Sequence, residues 1–194
     1  MVQIKQHILS ALAPLAIHFF SPSSKPDQSA PFTLSVISDN KYLDGSYIHG
    51  CHIGAARTAL CAFPKCHAHR EETSPTTFYF NVSTPRVANE PSGSLVYNLP
   101  YSTDKFLSQS AIMESNRYWH DFAHPLFAHP DDTEGIFAFH HDRLHLKDHR
   151  EQRWYICGGY SPFSINSYPT LVWYHGVGNP HVECVKVEIK RTFV

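Results

Sequence analysis

The last fourteen residues, HVECVKVEIKRTFV, alternate Val185, Val187 and Ile189 against Lys186, Glu188 and Lys190. A period of two places alternate side chains on opposite faces of an extended strand, so this stretch carries one apolar and one charged face. The same pattern returns upstream. PFTLSVIS sets Phe32, Leu34 and Val36 against Thr33, Ser35 and Ile37, and GIFAFHHDRLHLKDH contains two alternating runs joined at His141-Asp142-Arg143, as a hairpin requires. With Asp142 and Arg143 as the turn, His140 faces His145, and Phe137, Phe139, Leu144 and Leu146 share the core face.

TTFYFNV, SGSLVYNL (Ser92 to Leu99, its ends set by Gly93 and Pro100), RWYIC and TLVWYH read as further strands. SYIHGCHIG alternates Tyr47, His49, Cys51 and Ile53 against Ile48, Gly50 and His52, with either face suited to the interior. Asn40 and Asp44-Gly45 mark a turn before it. One stretch, Asp104 to Trp119, is expected to be helical, and HDFAHPLFAHPDD, whose prolines disfavour helix at the preceding histidines, is expected to be an irregular surface loop. The expected fold is all-β: an antiparallel sandwich or barrel of about eight strands with at most one short helix.

A chain of 194 residues can bury one sizeable core. Sixteen basic residues against seventeen acidic ones, scattered along the chain, leave no electrostatic footprint for nucleic acid or an anionic membrane. Lys5 followed by the apolar run Ile8 to Phe20 and small Ser21 and Ser23 reads as a secretory signal over residues 1–23, with a buried first helix as the competing reading. A stretch of thirteen residues falls short of the about 20 that span a bilayer. Residues 24–31 then form a flexible leader and residues 32–194 a single β-domain. Asn81-Val82-Ser83 is a glycosylation acceptor in an exported chain, where cysteines also oxidise.

The order YLDGSYIHGCHIGAA, TTFYFN, RYWHDFAHPLF, EGIFAFHHDRLHL, RWYIC, LVWYHGVGNP and ECVKVEIKRTF resembles a group of small secreted fungal β-proteins known chiefly as a domain of unknown function. Its marks here are L-x-G-x-Y at Leu43, H-x-G-A at His52, W-x-x-C at Trp154 and P-x-x-x-C-x-x-V at Pro180. The resemblance spans about Phe32 to Val194 and implies a secreted β-fold without transferring catalytic residues. In that pattern His52, Gly54 and Ala55 belong to a strand end and turn, with Gly54 relieving a crowded backbone.

Cys157 and Cys184 are the expected disulfide, joining the RWYIC strand to the C-terminal one. Cys51, Cys61 and Cys66 leave one further pair and a free thiol, and spacing does not choose between pairings. Cys61-x4-Cys66-His67-x-His69 with Cys51-His52 could alternatively hold zinc, and His140 with His145, joined by His141 or His149, a transition metal; no metal is expected over disulfides and solvated histidines. GYSPF lacks the G-x-S-x-G elbow, no base is marked for a cysteine nucleophile, and G-x-G-x-x-G and Walker sequences are absent, so no cofactor is expected.

What remains is a surplus of aromatic residues with polar tips. Most belong to a core, but an open-ended β-fold also builds pockets for flat apolar ligands from such side chains. His52, Trp119, His120, Tyr155, Trp173 and His175 are the candidate site residues. Two functions follow. One is a cofactor-free cyclase or pericyclase of the hetero-Diels–Alder type acting on an apolar small molecule in fungal secondary metabolism, by analogy in build with fungal catalysts of that kind. The other is a secreted, non-catalytic cell-surface or ligand-binding protein. Oligomeric state is not legible.

Overall fold

The computed structural model describes residues 27–54, 57–63, 74–83, 91–115, 120–128, 135–149, 151–158, 169–180 and 183–194. Among these there is no helix, and thirteen strands form one antiparallel sheet. They are β1 (Asp27–Gln28), β2 (Phe32–Ile37), β3 (Ile48–Gly54), β4 (Arg57–Ala62), β5 (Phe78–Val82), β6 (Ser92–Ser102), β7 (Lys105–Ser115), β8 (Phe122–Ala128), β9 (Phe137–His140), β10 (Arg143–Leu146), β11 (Trp154–Cys157), β12 (Thr170–Tyr174) and β13 (Cys184–Phe193).

Nine of these strands close a barrel in the order β13, β2, β5, β6, β7, β8, β4, β12, β11 and back to β13. Closure leaves the wall without the free edges that invite aggregation. β1 lies on β5 and β3 on β4. The β9–β10 hairpin spans from Ser92 and Gly93 of β6 to Lys190 of β13. It takes over where β7 and β11 have left those two long strands, so one end of the barrel is narrower than the other.

Alternation decides what fills the barrel. Trp154, Trp173, Phe32, Phe78, Phe127 and Phe137 are all less than 2% exposed, and they occupy the interior together with Leu34, Leu60, Leu95, Leu144 and Ile189. Their rings touch in sequence: Phe78 stacks on Phe127 at 5.9 Å, Phe32 meets Phe139 edge-on at 5.5 Å, and Trp154 meets Trp173 edge-on at 4.9 Å. The Trp154 indole N–H donates to the Leu144 carbonyl at 2.9 Å, which satisfies the polar edge of a buried ring and ties β11 to the hairpin. A second layer, Phe122, Tyr155, Cys157, Val172 and Tyr174, is buried on the opposite face of the same strands.

Two disulfides fasten the wall. Cys157 and Cys184 are register partners on β11 and β13, with Cα atoms 4.1 Å apart, as expected. Cys51 joins Cys61 across the β3–β4 hairpin, which settles the second pairing; Cys66 lies outside the described residues. As a cystine, Cys51 and Cys61 offer no thiolates for the zinc arrangement considered above.

Several local expectations are corrected. Of the segment expected to be helical, Lys105–Ser115 is strand β7, whose residues from Ser110 to Ser115 pair with β8 and whose Lys105 to Ser110 pair with β6; residues 116–119 lie outside the described residues. Its apolar residues are not at helical spacing, and two neighbouring strands satisfy its backbone. The expected proline loop is strand β8. Its free side pairs with β12 at Phe122 and Ala123 and with β4 at Leu126 and Phe127, so Pro125, which has no N–H to donate, falls in the interval between the two ladders. Gly93 and Pro100 lie inside β6, with Pro100 next to a bulge.

The hairpin turn is His141-Asp142, one residue earlier than expected. Both residues are left-handed (φ 46° and 60°), so His140 pairs with Arg143 and His145 with Ala138, although Phe137, Phe139, Leu144 and Leu146 keep their shared face. The turn is held from outside. Arg191 donates to the Asp142 carboxylate at 2.9 Å, and its guanidinium lies 4.1 Å from the Phe139 ring centroid and 4.7 Å from that of Phe193. Of the expected flexible leader, Asp27 and Gln28 pair with Val82 and Asn81. Gly54 is not crowded, since a Cβ there would meet nothing within 4 Å.

Gly93 is one position where the backbone requires glycine: a Cβ there would collide with the Asn81 carbonyl and the Phe80 ring. Gly93→Ala is expected to lower stability by about 2 kcal/mol or more, and joint replacement of Cys157 and Cys184 by Ala by about 2–4 kcal/mol. Urea unfolding followed by tryptophan fluorescence checks both.

Candidate functional site

Strands end where side chains from neighbouring turns can converge, and β8, β11 and β12 end together at one side of the barrel. Tyr174 pairs with Phe122, and Trp173 pairs with both Ala123 and Trp154. This register brings the residues just beyond the strands to one level. The His175 N–H donates to the Asp121 carbonyl at 2.6 Å, and the Tyr174 N–H to the Arg153 carbonyl at 3.0 Å. Arg153 donates through Nη1 to the Gly176 carbonyl at 2.9 Å and pairs with Glu151 at 3.3 Å. The His149 imidazole stands against the edge of the Trp173 ring at 5.4 Å.

The resulting rim carries Arg153, His175 and Asp121, with His149 beside an indole that is itself almost wholly buried. Burial lowers the pKa of His175, the charges of His149 and Arg153 lower it further, and Asp121 opposes them. This favours the neutral imidazole, in which one nitrogen accepts a hydrogen bond and the other donates one.

The six residues singled out from the sequence do not converge on one point. Trp173 and His175 belong to this rim, with His120 exposed in the turn beside Asp121. Tyr155 is on β11 in the outer layer, edge-on to Tyr174 at 5.8 Å, so the sheet itself separates it from the Trp173 ring. His52 is exposed on β3 opposite Thr58, which pairs with Phe127 of β8. Five residues of strand separate that level from Phe122 at the rim, about 17 Å. Trp119 lies outside the described residues.

Arg153 and Asp121 were not singled out, because nothing in RWYIC or HDF marks them and their relation to His175 exists only through the β8–β12–β11 register. His140 and His145 sit diagonally across the hairpin with ring centroids 6.1 Å apart, and the Gln152 amide reaches His145 Nε2 at 3.0 Å. Among the described residues no three His, Cys, Asp or Glu side chains are grouped so as to hold a metal ion. Asn81 is half-buried on β5, and its carbonyl oxygen accepts from the Gln28 amide at 2.9 Å. No family model, curated protein or solved structure matches the chain.

The electrostatics of the rim yield a signed expectation. Arg153→Gln and His149→Ala each remove an interaction that lowers the His175 pKa and should raise it, whereas Asp121→Asn should lower it. Imidazole titration by NMR measures all three directions.

Proposed function

We propose that the protein is an exported β-barrel that receives an apolar, carbonyl-bearing small molecule at the rim around Trp173 and His175 and promotes its cyclisation or cycloaddition without a cofactor. The observation that carries this reading is the grouping of His175 and the Arg153 guanidinium at the rim where His149 stands beside the buried Trp173 ring. Reactions of this kind need a guest held in a reactive conformation and a donor aimed at its carbonyl; they need no nucleophile. His175 or His149 supplies the donor. Two disulfides fit an oxidising compartment, and among the described residues no helix is long and apolar enough to cross a membrane. The signal-like first residues, the Asn81 acceptor and the resemblance to small secreted fungal β-proteins point the same way.

A non-catalytic binding protein is the second reading. It is favoured by the packing of the aromatic surplus, since Trp154, Trp173, Phe78 and Phe127 are buried in the barrel core.

Incubation with a polyene or quinone-methide substrate, compared with the protein-free reaction, separates the two. The catalytic reading expects an altered product ratio or stereochemistry that falls about tenfold or more in His175→Ala; an unchanged ratio with retained binding selects the second reading. Expression through a secretory host should yield a chain lacking its first 23 residues and bearing a glycan on Asn81 that disappears in Asn81→Gln, read by intact mass.

A further inference from the structure

Two strands run on past the barrel wall as a ribbon. β6 leaves β5 at Tyr97, and β8 takes up the outer side of β7 only from Ser110. Among the described residues, 98–102 of β6 and 105–108 of β7 pair with each other and with no further strand. A two-stranded ribbon is marginally stable in water, and further strands secure it. This one is apolar on both faces. Leu99 lies opposite Leu107 and Pro100 opposite Phe106, so the adjacent Phe106 and Leu107 point to opposite sides. They are 61% and 39% exposed, and Tyr101 is 66% exposed.

The two outer sides of the ribbon differ. Pro100 has no N–H to offer, which guards the β6 side; the β7 side carries no proline. A strand added there would cover both faces at once, because its own side chains alternate. The tip, Ser102 to Lys105, is polar, so the ribbon does not lead into a lipid surface with its apolar part first. The open side of β7 is also as long as the stretch of β7 that would fill it, which makes it self-complementary. With Leu107 on a two-fold axis, Leu107 meets its own copy, Phe106 lies opposite Ser108, and Lys105 lies opposite Gln109. Charge selects this register: with the axis on Lys105 the two ammonium groups are directly opposed, and with it on Phe106 they are diagonal neighbours about 7–8 Å apart.

We propose that a second copy of this chain occupies the outer side of β7, giving a continuous antiparallel sheet in the order β6, β7, β7, β6 across a two-fold axis at Leu107. The exposed parts of Tyr101, Phe106 and Leu107 amount to roughly 300 Å² in each copy, less than the about 800 Å² per partner of a long-lived complex, so the dimer is weak and reversible. The axis lies at the opposite end of β7 from Ser115, which pairs with Ala123 beside the rim. The rim therefore stays open, and the dimer is independent of any guest bound there.

Sedimentation velocity on the intact protein from about 1 μM to 1 mM tests it, with half-association expected above about 10 μM. Leu107→Lys and Leu107→Glu each set like charges against one another on the axis and should each weaken association about tenfold or more. An equimolar mixture of the two, with Lys facing Glu, should regain it. An unaltered protein that stays monomeric throughout, single variants that associate like it, or a mixture that stays monomeric overturns the proposal. Should the variants not fold, amide hydrogen exchange of residues 105–108 in the unaltered protein decides: protection that rises with protein concentration supports the β7 pairing, and protection indifferent to it overturns the pairing.

Discussion

The pairing of β13 with three other strands is the constraint on which the architecture rests. One edge of this strand carries β2, and the other carries β11 and then β10, so the first and last strands of the domain and the hairpin between them all depend on it. Without β13 the sheet would have open edges at β2 and β11, and the aromatic interior would face water. The Cys157–Cys184 bridge sits where β11 enters this arrangement and restrains the closing pair in the unfolded chain, where loop entropy otherwise opposes it. At the far end, Arg191 performs a related task without a covalent bond, lying among aromatic rings and holding the Asp142 turn.

Closure also partitions the chemistry. Because neighbouring residues on a strand face opposite ways, β11 and β12 send Trp154 and Trp173 inward and Tyr155 and Tyr174 outward. Both faces are nevertheless buried here, so the aromatic abundance of this chain serves two apolar layers rather than one pocket. Charged groups gather where the strands stop, at the His149–His175 rim, while His124 is buried within β8. These two places differ in kind: at the rim, charges within reach of water tune an imidazole, whereas at His124 exclusion of water does.

Strands with a period of two, β2, β9, β10 and β13, were legible because one face had to be apolar whatever it packed against, and β11 and β12 were legible as short apolar runs rich in aromatic and β-branched residues. β7 and β8 were not. Residues 104–119 show no strict alternation, since β7 is partly an exposed ribbon and partly a buried wall strand, and its stability comes from its two neighbours. The FAHPLFA run contains a proline that argues against a central strand; it is tolerated because the ladder on one side of β8 is interrupted there. The hairpin was recognisable, but its turn was misplaced by one residue. Left-handed His141 and Asp142 are held by Arg191, 49 residues beyond Asp142 in the chain, and that restraint is invisible in the local pattern.

By itself the sequence determined the class: alternating apolar runs cut by proline and glycine bury one face each, and only sheets satisfy their backbones while doing so. It also placed the Cys157–Cys184 bridge and the core faces of the regular strands. Tertiary structure decided closure, the Cys51–Cys61 pairing, and which polar residues meet. Those outcomes depend on register between strands far apart in sequence. Arg153, His175 and Asp121 share one rim, and His52 stands about 17 Å from it, because of how β8, β11, β12 and β4 align, and no local pattern encodes that alignment.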